Sequence, residues 1–384
     1  MHFIGRTSNI RNAPIIKLLQ DSKVSKEVIS LGQGIPFFRP PENSIESFIK
    51  NSSLKNGYSY STDAGLIELR KAIKVKLSIE NNIIVDEEQI VVTAGANQGF
   101  MNVIMSITDS GDEIILITPS YFNYIMSTRL VGCKPVLVSS DESTNLPNIE
   151  EIKKRISDKT RAIVTISPNN PTGVVYPKNL LKNINDICME NELYHISDEV
   201  YEYFTYDNNY HISPAFFDKD MDHTISLFSC SKSFAMSGYR IGCIITPKHL
   251  FNEILKVQDT IGICAPVPSQ YAAIKAFDLG SSYMNQYISE INEIRLLFYD
   301  VLNGLDSVNV NLPQGAMYFF LHLKKEINTW DLAKRLIDEY DIITIPGEVF
   351  DSNYSSLRVS FGNLRVDESK EGIVRLKKGL EILL

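Results

Sequence analysis

Short apolar segments alternate with longer helical patterns through the middle of this chain, and this alternation constrains the fold more than any other feature. Strand-length apolar runs lie at residues 89–93, 113–118, 134–139, 161–166, 194–197, 224–229 and 241–246. Helical patterns lie between them, at residues 96–107, 121–130, 149–156 and 178–191. Because strands covered by helices on both faces are apolar throughout, the pattern predicts an α/β fold with a mostly parallel seven-stranded sheet.

The two ends of the chain have different patterns. In the C-terminal third, two long helical patterns at residues 269–279 and 283–305 precede a shorter mixture of strands and helices at 308–384. The stretch before residue 47 is rich in proline and glycine and has no strong periodicity. We therefore expect an N-terminal arm with part of a small domain at 1–46, a large domain at 47–280 and a small α+β domain at 281–384.

The composition argues against several classes of protein. The 384 residues carry a formal charge of −8, whereas surfaces that bind nucleic acid or anionic membranes are basic. The five cysteines form no Cys-x-x-Cys pair and the six histidines have no metal-ligand spacing, so we expect a reducing compartment and no metal. No apolar run approaches the roughly 18 residues of a membrane span, and residues 1–11 lack a signal-peptide core, which favours the cytoplasm.

Polar residues that directly follow strands are the first candidates for a site, because open parallel sheets bind ligands at the carboxyl ends of their strands. Gly95, Ala96 and Asn97 open a predicted helix, whose free N–H groups suit a phosphate. A tight turn that merely joins strand to helix is an equally simple interpretation. Asn170 lies in the proline-rich loop at 167–173, which by composition alone is an ordinary loop.

Two charged residues also end predicted strands. Asp198 would need a cationic partner if buried, although Asp favours helix N-caps and position alone favours the cap. Lys232 is an odd placement for a solvated charge: a lone lysine is usually a surface residue, but a desolvated lysine becomes nucleophilic toward carbonyls. The hydroxyls of Ser229 and Ser231 and the guanidinium of Arg240 can bind a phosphate near it.

Together these groups match the needs of one cofactor, pyridoxal phosphate. It needs a lysine amine for its aldehyde, a carboxylate that keeps its ring nitrogen protonated, donors for its phosphate and an aromatic face to stack on. The protonated ring is the electron sink that stabilises a carbanion at the α-carbon of a substrate. The sequence therefore predicts an enzyme that uses pyridoxal phosphate.

Four motifs carry a resemblance to a known family. Asn170-Pro171-Thr172-Gly173, Asp198-Glu199-Val200-Tyr201, Ser229-x-Ser231-Lys232 and Arg240 resemble, in order and spacing, the class I aminotransferases of the fold type I pyridoxal-phosphate family. The resemblance extends from about Ser30 to the C-terminus. Residues 92–98, 264–273 and 313–319 are most similar to the archaeal and bacterial aspartate and aromatic aminotransferases.

The resemblance implies a role for each matching residue in cofactor binding. Lys232 resembles the lysine that binds the cofactor aldehyde and moves the proton at the substrate α-carbon. Asp198 resembles the partner of the ring nitrogen, and Tyr121 the aromatic residue that stacks on the ring, although core packing would also explain it. Asn170 and Tyr201 resemble the two donors to the phenolic oxygen. The phosphate would lie against Gly95, Ala96, Asn97, Ser229, Ser231 and Arg240.

The resemblance also implies substrate and subunit contacts. Arg358 resembles the arginine that binds the substrate α-carboxylate bidentately, beside Asn170 and the backbone of Gly34; taken alone it would be a surface charge. Tyr60 resembles the tyrosine that reaches the phosphate of the neighbouring subunit in a homodimer, and Tyr58 is close enough to take its place. A cis peptide bond before Pro171 is also expected.

The implied reaction is transfer of an amino group from an L-amino acid to a 2-oxo acid such as 2-oxoglutarate, with ping-pong kinetics. Some aspartate-preferring relatives have a lysine at the position of Asn97, so this chain leans toward aromatic or broad specificity. The motifs also allow a carbon–sulfur β-lyase or an amino-acid oxidase on the same scaffold. A regulatory protein is less favoured, because the chain is acidic and lacks room for a DNA-binding module before the motifs.

Overall fold

The structure is a computed structural model that describes residues 5–384. In chain order, the strands are β1 (Ile29–Ser30), β2 (Ile90–Thr93), β3 (Glu113–Thr118), β4 (Lys134–Ser139), β5 (Thr160–Ile166), β6 (Tyr194–Asp198), β7 (Thr224–Ser229), β8 (Gly242–Ile245), β9 (Val308–Asn309), β10 (Tyr318–Leu323), β11 (Ile342–Ile343), β12 (Ile345–Pro346) and β13 (Ser356–Ser360). The α-helices are α1 (Pro14–Gln20), α2 (Glu42–Ser52), α3 (Ile67–Lys76), α4 (Ala96–Ile107), α5 (Phe122–Leu130), α6 (Ile149–Lys154), α7 (Lys178–Glu190), α8 (Cys230–Ser233), α9 (Lys248–Gly262), α10 (Val267–Phe277), α11 (Ser281–Asn285), α12 (Ile288–Asn303), α13 (Thr329–Tyr340) and α14 (Val366–Leu383).

The central sheet has seven strands in the order β2-β8-β7-β6-β5-β3-β4. The strands from β7 through β6, β5 and β3 to β4 pair in parallel, whereas β8 runs antiparallel to both of its neighbours. Each of the seven strands begins and ends within one residue of its predicted bounds. The predicted α/β class with a mostly parallel seven-stranded sheet is confirmed.

Helices cover both faces of this sheet, because successive side chains of each strand point to opposite faces. In β3, Ile114 and Leu116 join a cluster that includes side chains of α4, α5 and α9. Their neighbours Ile115 and Ile117 join a second cluster with side chains of α6 and α7. Each such buried side chain contributes on the order of 2 kcal/mol, so the continuous apolar runs are what fix these strands in the middle layer.

The C-terminal part forms a smaller α+β unit. Its four-stranded antiparallel sheet has the order β12-β13-β10-β9, α12 and α13 contact this sheet, and α14 packs against α12 and α13. From the N-terminal stretch, β1 pairs in parallel with β11, so this stretch joins the C-terminal unit. The boundaries 1–46, 47–280 and 281–384 stay a prediction, and residues 1–4 lie outside the described part of the chain.

The structure adds a helix in the N-terminal stretch and divides a predicted helix into two. The stretch before residue 47, which lacks strong periodicity, still contains α1, with a proline in its first turn. The single helix predicted at 283–305 is two helices, α11 and α12, with Tyr287 between them. The ring of Tyr287 stacks on Phe38 at a centroid distance of 4.3 Å, a long-range contact that local periodicity does not reveal. Among residues 5–384, no helix is long and apolar enough to cross a membrane.

Candidate active site

A cavity of about 280 Å³ lies where β5, β6 and β7 of the central sheet end, and side chains of β10 and β13 close its other side. Its lining contains nearly all of the residues predicted from the sequence. They are Gly34, Ala96, Asn97, Tyr121, Asn170, Asp198, Tyr201, Ser229, Ser231, Lys232, Arg240 and Arg358. Of the other two predicted residues, Gly95 adjoins the cavity and Tyr60 lies outside it.

Lys232 points into the cavity from α8, the short helix that directly follows β7. Its Nζ donates a hydrogen bond of 2.5 Å to the carbonyl oxygen of Gly34. Burial lowers the pKa of the Lys232 ammonium to about 8, with further lowering from the nearby charges of Arg358 and Arg240. Its amine is therefore far more available as a neutral nucleophile than that of an exposed lysine.

Asp198 is the last residue of β6, and its carboxylate is buried at the floor of the cavity. One oxygen accepts a 2.6 Å hydrogen bond from the Tyr124 hydroxyl, and the other accepts from the N–H of Val200 at 3.2 Å. The bond to Val200 resembles the helix-cap interaction that position alone favours. Burial raises the pKa of the Asp198 carboxyl to about 6, since no cationic group of residues 5–384 forms a salt bridge with it.

One end of the cavity combines a helix N-terminus with a guanidinium group. Helix α4 begins at Ala96, directly after Gly95, whose φ of +85° few other residues adopt. A side chain at this glycine would place Cβ 2.4 Å from Nη2 of Arg240. Arg240 is held there by hydrogen bonds to the carbonyl oxygens of Ser237 and Ala94, at 2.7 and 3.2 Å. Free N–H groups and a cation together make this end suited to an anion.

Two predicted hydrogen-bond donors lie along the wall of the cavity. The bond between Asn170 and Pro171 is cis, as predicted. Oδ1 of Asn170 accepts a 2.9 Å hydrogen bond from Arg358, which leaves its amide N–H groups for a ligand. The hydroxyl of Tyr201 lies 2.5 Å from that of Tyr318.

Tyr121 also forms part of the cavity wall. Its hydroxyl accepts hydrogen bonds from Asn123 at 2.9 Å and from Asn97 at 3.4 Å. Its ring contacts Tyr124 edge to face, with centroids 5.4 Å apart. Tyr121 is half-buried and borders the cavity, so it has a free surface for a ligand in addition to its packing contacts.

Arg358 lies in β13 and is only 6% exposed, so the interpretation of this residue as a surface charge is wrong. Its guanidinium donates to Oδ1 of Asn170 and, at 2.5 Å, to the carbonyl oxygen of Gly32. The rings of Tyr318 and Phe350 lie over it, at 4.5 and 5.0 Å. No carboxylate within residues 5–384 forms a salt bridge with it, and its buried Nε has no partner there. A buried guanidinium in this state favours an anionic ligand.

The family model for aminotransferases of class I and II matches residues 26–376. This chain belongs to that family. An aromatic aminotransferase of Arabidopsis thaliana is 33% identical over 364 residues, which cover 93% of this chain and 90% of that protein. An aspartate aminotransferase of Pyrococcus abyssi is 33% identical, covering 99% of this chain and 98% of that protein.

Solved structures of aminotransferases have the same fold. An aromatic aminotransferase from Pyrococcus horikoshii matches with a TM-score of 0.88 and 32% identity, over 96% of this chain and 99% of that one. An aspartate aminotransferase from Thermotoga maritima matches with a TM-score of 0.90 and 28% identity, over 99% of this chain and the whole of that one. The chain is therefore an aminotransferase, and the lyase and oxidase alternatives are not favoured.

The sequence prediction missed several residues that line the cavity of this aminotransferase. They are Ile15, Phe122, Tyr124, Val200, Ser237 and Tyr318. Tyr124 lies three residues after Tyr121 on the neighbouring turn of the chain, so helical spacing contained a signal for it. Ile15 and Tyr318 come from opposite ends of the chain, and no local pattern indicates that they meet.

Tyr60 is the predicted residue that the structure does not bring to the cavity. Its side chain is 77% exposed, and that of Tyr58 is 72% exposed. Neither residue lines the cavity of the described chain. Any role of Tyr60 toward a cofactor therefore requires a second copy of the chain.

Proposed function

We propose that this aminotransferase binds pyridoxal phosphate in the cavity, with Lys232 as the catalytic residue, and moves an amino group from an L-amino acid to a 2-oxo acid. The observation that supports this most directly is that the Lys232 amine and the Asp198 carboxylate open into one buried cavity. The charged side chains of the lining are three cations and one acid, Lys232, Arg240, Arg358 and Asp198, so the formal balance is +2. That balance suits a phosphate together with a carboxylate.

The residues fit the two polar ends of the cofactor. The phosphate fits the start of α4, where Gly95 leaves space that a Cβ would fill, with Arg240 and the hydroxyls of Ser229 and Ser231 as further donors. The ring nitrogen fits Asp198, because a protonated nitrogen is the cation that this buried carboxylate lacks. The phenolic oxygen would accept from Asn170 and Tyr201, and Tyr121 would stack on the ring.

The cofactor, when bound, supplies an aldehyde that condenses with amines and a ring that withdraws electrons from the substrate α-carbon. Lys232 would hold the cofactor covalently, and its amine, when free, would accept the proton from the substrate α-carbon as a general base. Its lowered pKa suits this role, since the amine must be neutral to accept a proton near neutral pH. Asp198 remains ionised opposite the ring nitrogen and keeps that nitrogen protonated.

The substrate α-carboxylate would bind Arg358, which is already held in place by Asn170, Gly32 and two aromatic rings. Fixing the carboxylate fixes the α-carbon relative to Lys232, which is the geometric condition for proton transfer. The backbone of Gly34 lies beside this position because its carbonyl oxygen accepts from Lys232. We infer that occupation of the site by substrate releases that hydrogen bond.

The side chain of the donor would meet Ile15, Phe122 and Asn97, which are neutral and mostly apolar. Apolar walls favour aromatic or other uncharged donors over aspartate, consistent with the absence of a lysine at position 97. A panel of L-amino acids with 2-oxoglutarate as acceptor tests this, read as relative kcat/KM. Aspartate as the best donor by tenfold or more would contradict the inferred preference.

A second copy of the chain would cover the surface around Tyr58 and Tyr60. Large exposed apolar side chains surround these tyrosines in the sequence: Ile49, Leu54 and Ile67 are 66, 46 and 40% exposed. Exposed apolar residues of this density are typical of an interface. We infer a homodimer in which Tyr60 reaches the phosphate of the other subunit. Sedimentation velocity tests the assembly, and a fully active monomer would exclude it.

Replacing Lys232 with alanine tests the proposed function. The wild-type protein, purified with added pyridoxal phosphate and desalted, should keep a visible absorbance band and turn over amino donors. Lys232→Ala should lose the covalent attachment and at least about 1,000-fold of kcat, because the attached amine and the general base are the same group. Lys256, an exposed lysine of α9, provides a control, and Lys256→Ala should behave as wild type. Retained turnover in Lys232→Ala would refute the assignment.

A further inference from the structure

Tyr318 lies where the proposed cofactor-binding and substrate-binding groups meet, although the sequence analysis assigned it no role. It is the first residue of β10 and is 1% exposed. Its hydroxyl lies 2.5 Å from the hydroxyl of Tyr201, and the two rings meet edge to face at 5.6 Å. The face of its ring lies under the guanidinium of Arg358, with 4.5 Å between the carbon of the guanidinium and the ring centroid.

Gly34 allows this hydroxyl to reach the cavity. A Cβ on Gly34 would lie 1.8 Å from the hydroxyl oxygen of Tyr318, so any larger residue would displace the tyrosine. The carbonyl oxygen of the same glycine accepts the hydrogen bond from Lys232. Tyr318 therefore packs against a backbone segment that also contacts the catalytic amine.

The hydroxyl groups of Tyr201 and Tyr318 have only two protons between them to donate. A tyrosine hydroxyl has one proton to donate and can accept from other groups. Burial raises the pKa of both phenols, so each keeps its proton at neutral pH. If Tyr201 donated its proton to Tyr318, none would remain for the phenolic oxygen of the cofactor. The Tyr201 proton is available to a ligand only when Tyr318 is the donor within the pair.

We propose that Tyr318 is a positioning residue that donates its hydroxyl proton to Tyr201 and thereby directs the Tyr201 proton to the phenolic oxygen of the bound cofactor. This inference rests on the proposed function, since it concerns the same cavity and ligand. A hydroxyl that accepts a hydrogen bond is a stronger donor itself, because the two bonds polarise one another. Tyr318 thus favours the ionised form of the cofactor oxygen without touching it.

Tyr318→Phe isolates this effect, because it removes the hydroxyl and keeps the ring under Arg358. The measurement is a pH titration of the visible absorbance of the enzyme-bound cofactor, which reports ionisation at the cofactor rather than turnover. Without the donor, the midpoint should move to higher pH by about half a unit or more, the effect of losing one hydrogen bond on one protonation state. The value of kcat should fall more than KM rises, since the Arg358 contacts remain.

Tyr206→Phe is the matched control. Tyr206 is also a buried tyrosine, and its hydroxyl donates at 2.6 Å to the carbonyl oxygen of Ala316, two residues before Tyr318. It does not line the cavity, so its variant should lose a similar buried hydrogen bond and leave the midpoint unchanged. An equal shift in both variants would show a general loosening of this region and overturn the proposal.

A double variant decides whether Tyr318 acts through Tyr201. Tyr201→Phe should shift the midpoint by itself, and adding Tyr318→Phe should then change it little, because the intermediary is gone. Additive shifts, or no shift in Tyr318→Phe alone, would overturn the proposed proton path while the absorbance band and its loss in Lys232→Ala leave the proposed function standing. A wild-type protein that holds no visible cofactor would refute both.

Discussion

The two sides of the cavity are built in different ways. The sheet side, which consists of Asp198, Ser229, Ser231 and Lys232, comes from the ends of the adjacent strands β6 and β7. The small-domain side, which consists of Ile15, Gly34, Tyr318 and Arg358, comes from the N-terminal stretch and from β10 and β13. One side is fixed by backbone pairing within a single sheet, and the other by contacts between distant parts of the chain.

This difference separates two tasks. A parallel sheet holds its strand ends in fixed register, so the sheet side can keep a covalent cofactor and its ring partner in place throughout a reaction that has two halves. In the proposed function, Ile15 and Arg358 on the small-domain side contact the substrate and not the cofactor, and donor and acceptor must exchange there. Changes on the sheet side should therefore act mainly on kcat, and changes to Ile15 and Arg358, the residues of the small-domain side that contact the substrate, mainly on KM.

After Lys232→Ala, Asp198→Asn should have the largest effect, a decrease in kcat of about 1,000-fold, equivalent to about 4 kcal/mol. A neutral amide cannot keep the ring nitrogen protonated, so the electron sink is lost. Steady-state kinetics at saturating substrate measure it. Asp198→Glu, which keeps the charge, should retain more activity than the amide. A kcat of Asp198→Asn within tenfold of the wild-type value would contradict the proposal that residues of the sheet side act in the chemical step.

Lys232→Met should stabilise the cofactor-free protein at pH 7. The pKa of Lys232 is about 8 in the fold and near 10.5 when unfolded, so between these values the unfolded chain binds more protons and stability rises with pH. The cost of the buried charge is full below pH 8 and absent above 10.5. We expect Lys232→Met to raise the free energy of unfolding by about 2 kcal/mol at pH 7. This is less than the whole pKa shift of Lys232 would give, because solvent in the cavity screens the charge.

Urea unfolding of cofactor-free wild type and Lys232→Met at pH 7 and pH 10 measures this difference. At pH 10 the increase in the free energy of unfolding should shrink to well under about 1 kcal/mol. At that pH, wild-type Lys232 is neutral in the folded protein, although it is still mostly charged in the unfolded chain. A gain that does not depend on pH would indicate packing rather than charge as the cause. The burial of the Lys232 charge would then have no measurable cost in stability.

Arg358→Lys should lower kcat/KM about 100-fold, mainly through KM, which corresponds to about 3 kcal/mol. A lysine cannot make the planar two-bond contact with a carboxylate, nor keep the stacking between Tyr318 and Phe350. Arg335→Lys, on the exposed face of α13, is the control and should change neither constant. A loss confined to kcat would contradict the division between the two sides.

Asn97→Lys should raise the ratio of kcat/KM for aspartate to that for phenylalanine about tenfold, or roughly 1.4 kcal/mol. Asn97 lies at the cavity edge with its amide 3.4 Å from the Tyr121 hydroxyl, so a lysine there brings a cation near the donor side chain. Asn97→Gln, which is long but neutral, should leave the ratio unchanged. Equal ratios in the Lys and Gln variants would show that charge at this position is irrelevant.

Ile15→Ala should have the smallest effect, about a threefold higher KM for aromatic donors, because part of one apolar wall is lost. The next residue of α1 offers a matched control, since Ile16 is 57% exposed and Ile16→Ala should leave KM unchanged. Measurements with aspartate should show no change in either variant. Equal effects on all donors would place Ile15 outside the side-chain pocket.

Local sequence was informative for the sheet side. The apolar runs indicated the strand bounds of the central sheet to within one residue, and residues at or just after the ends of β2, β5, β6 and β7 line the cavity on the sheet side. Lys232 and Asp198 were candidates because each ends an apolar strand, although position alone favoured a helix cap for Asp198 and a surface residue for Lys232. For these residues, the position at the end of a strand in the sequence already indicates the edge of the sheet at which the side chain lies.

Local sequence was much less informative for the small-domain side. Arg358 was assigned through the family resemblance, since a single arginine in a strand suggests only a surface charge. Tyr318 and Ile15 were missed, and so was the break at Tyr287, whose ring stacks on Phe38, far away in the sequence. Tyr124 is the exception, because its spacing from Tyr121 is helical and the sequence contained that signal.

By itself, the sequence determined the fold class, the strands of the central sheet and the candidate residues at their ends that line the cavity, because strand periodicity and strand-end position are local properties. Only the tertiary structure decided which side chains close the cavity from the opposite side, how Tyr318 meets Tyr201 and Arg358, and that Tyr60 lies away from the cavity of its own chain. These facts depend on pairing and packing between segments that are distant in the sequence, such as Tyr201 and Tyr318, which are 117 residues apart, and no local pattern contains them.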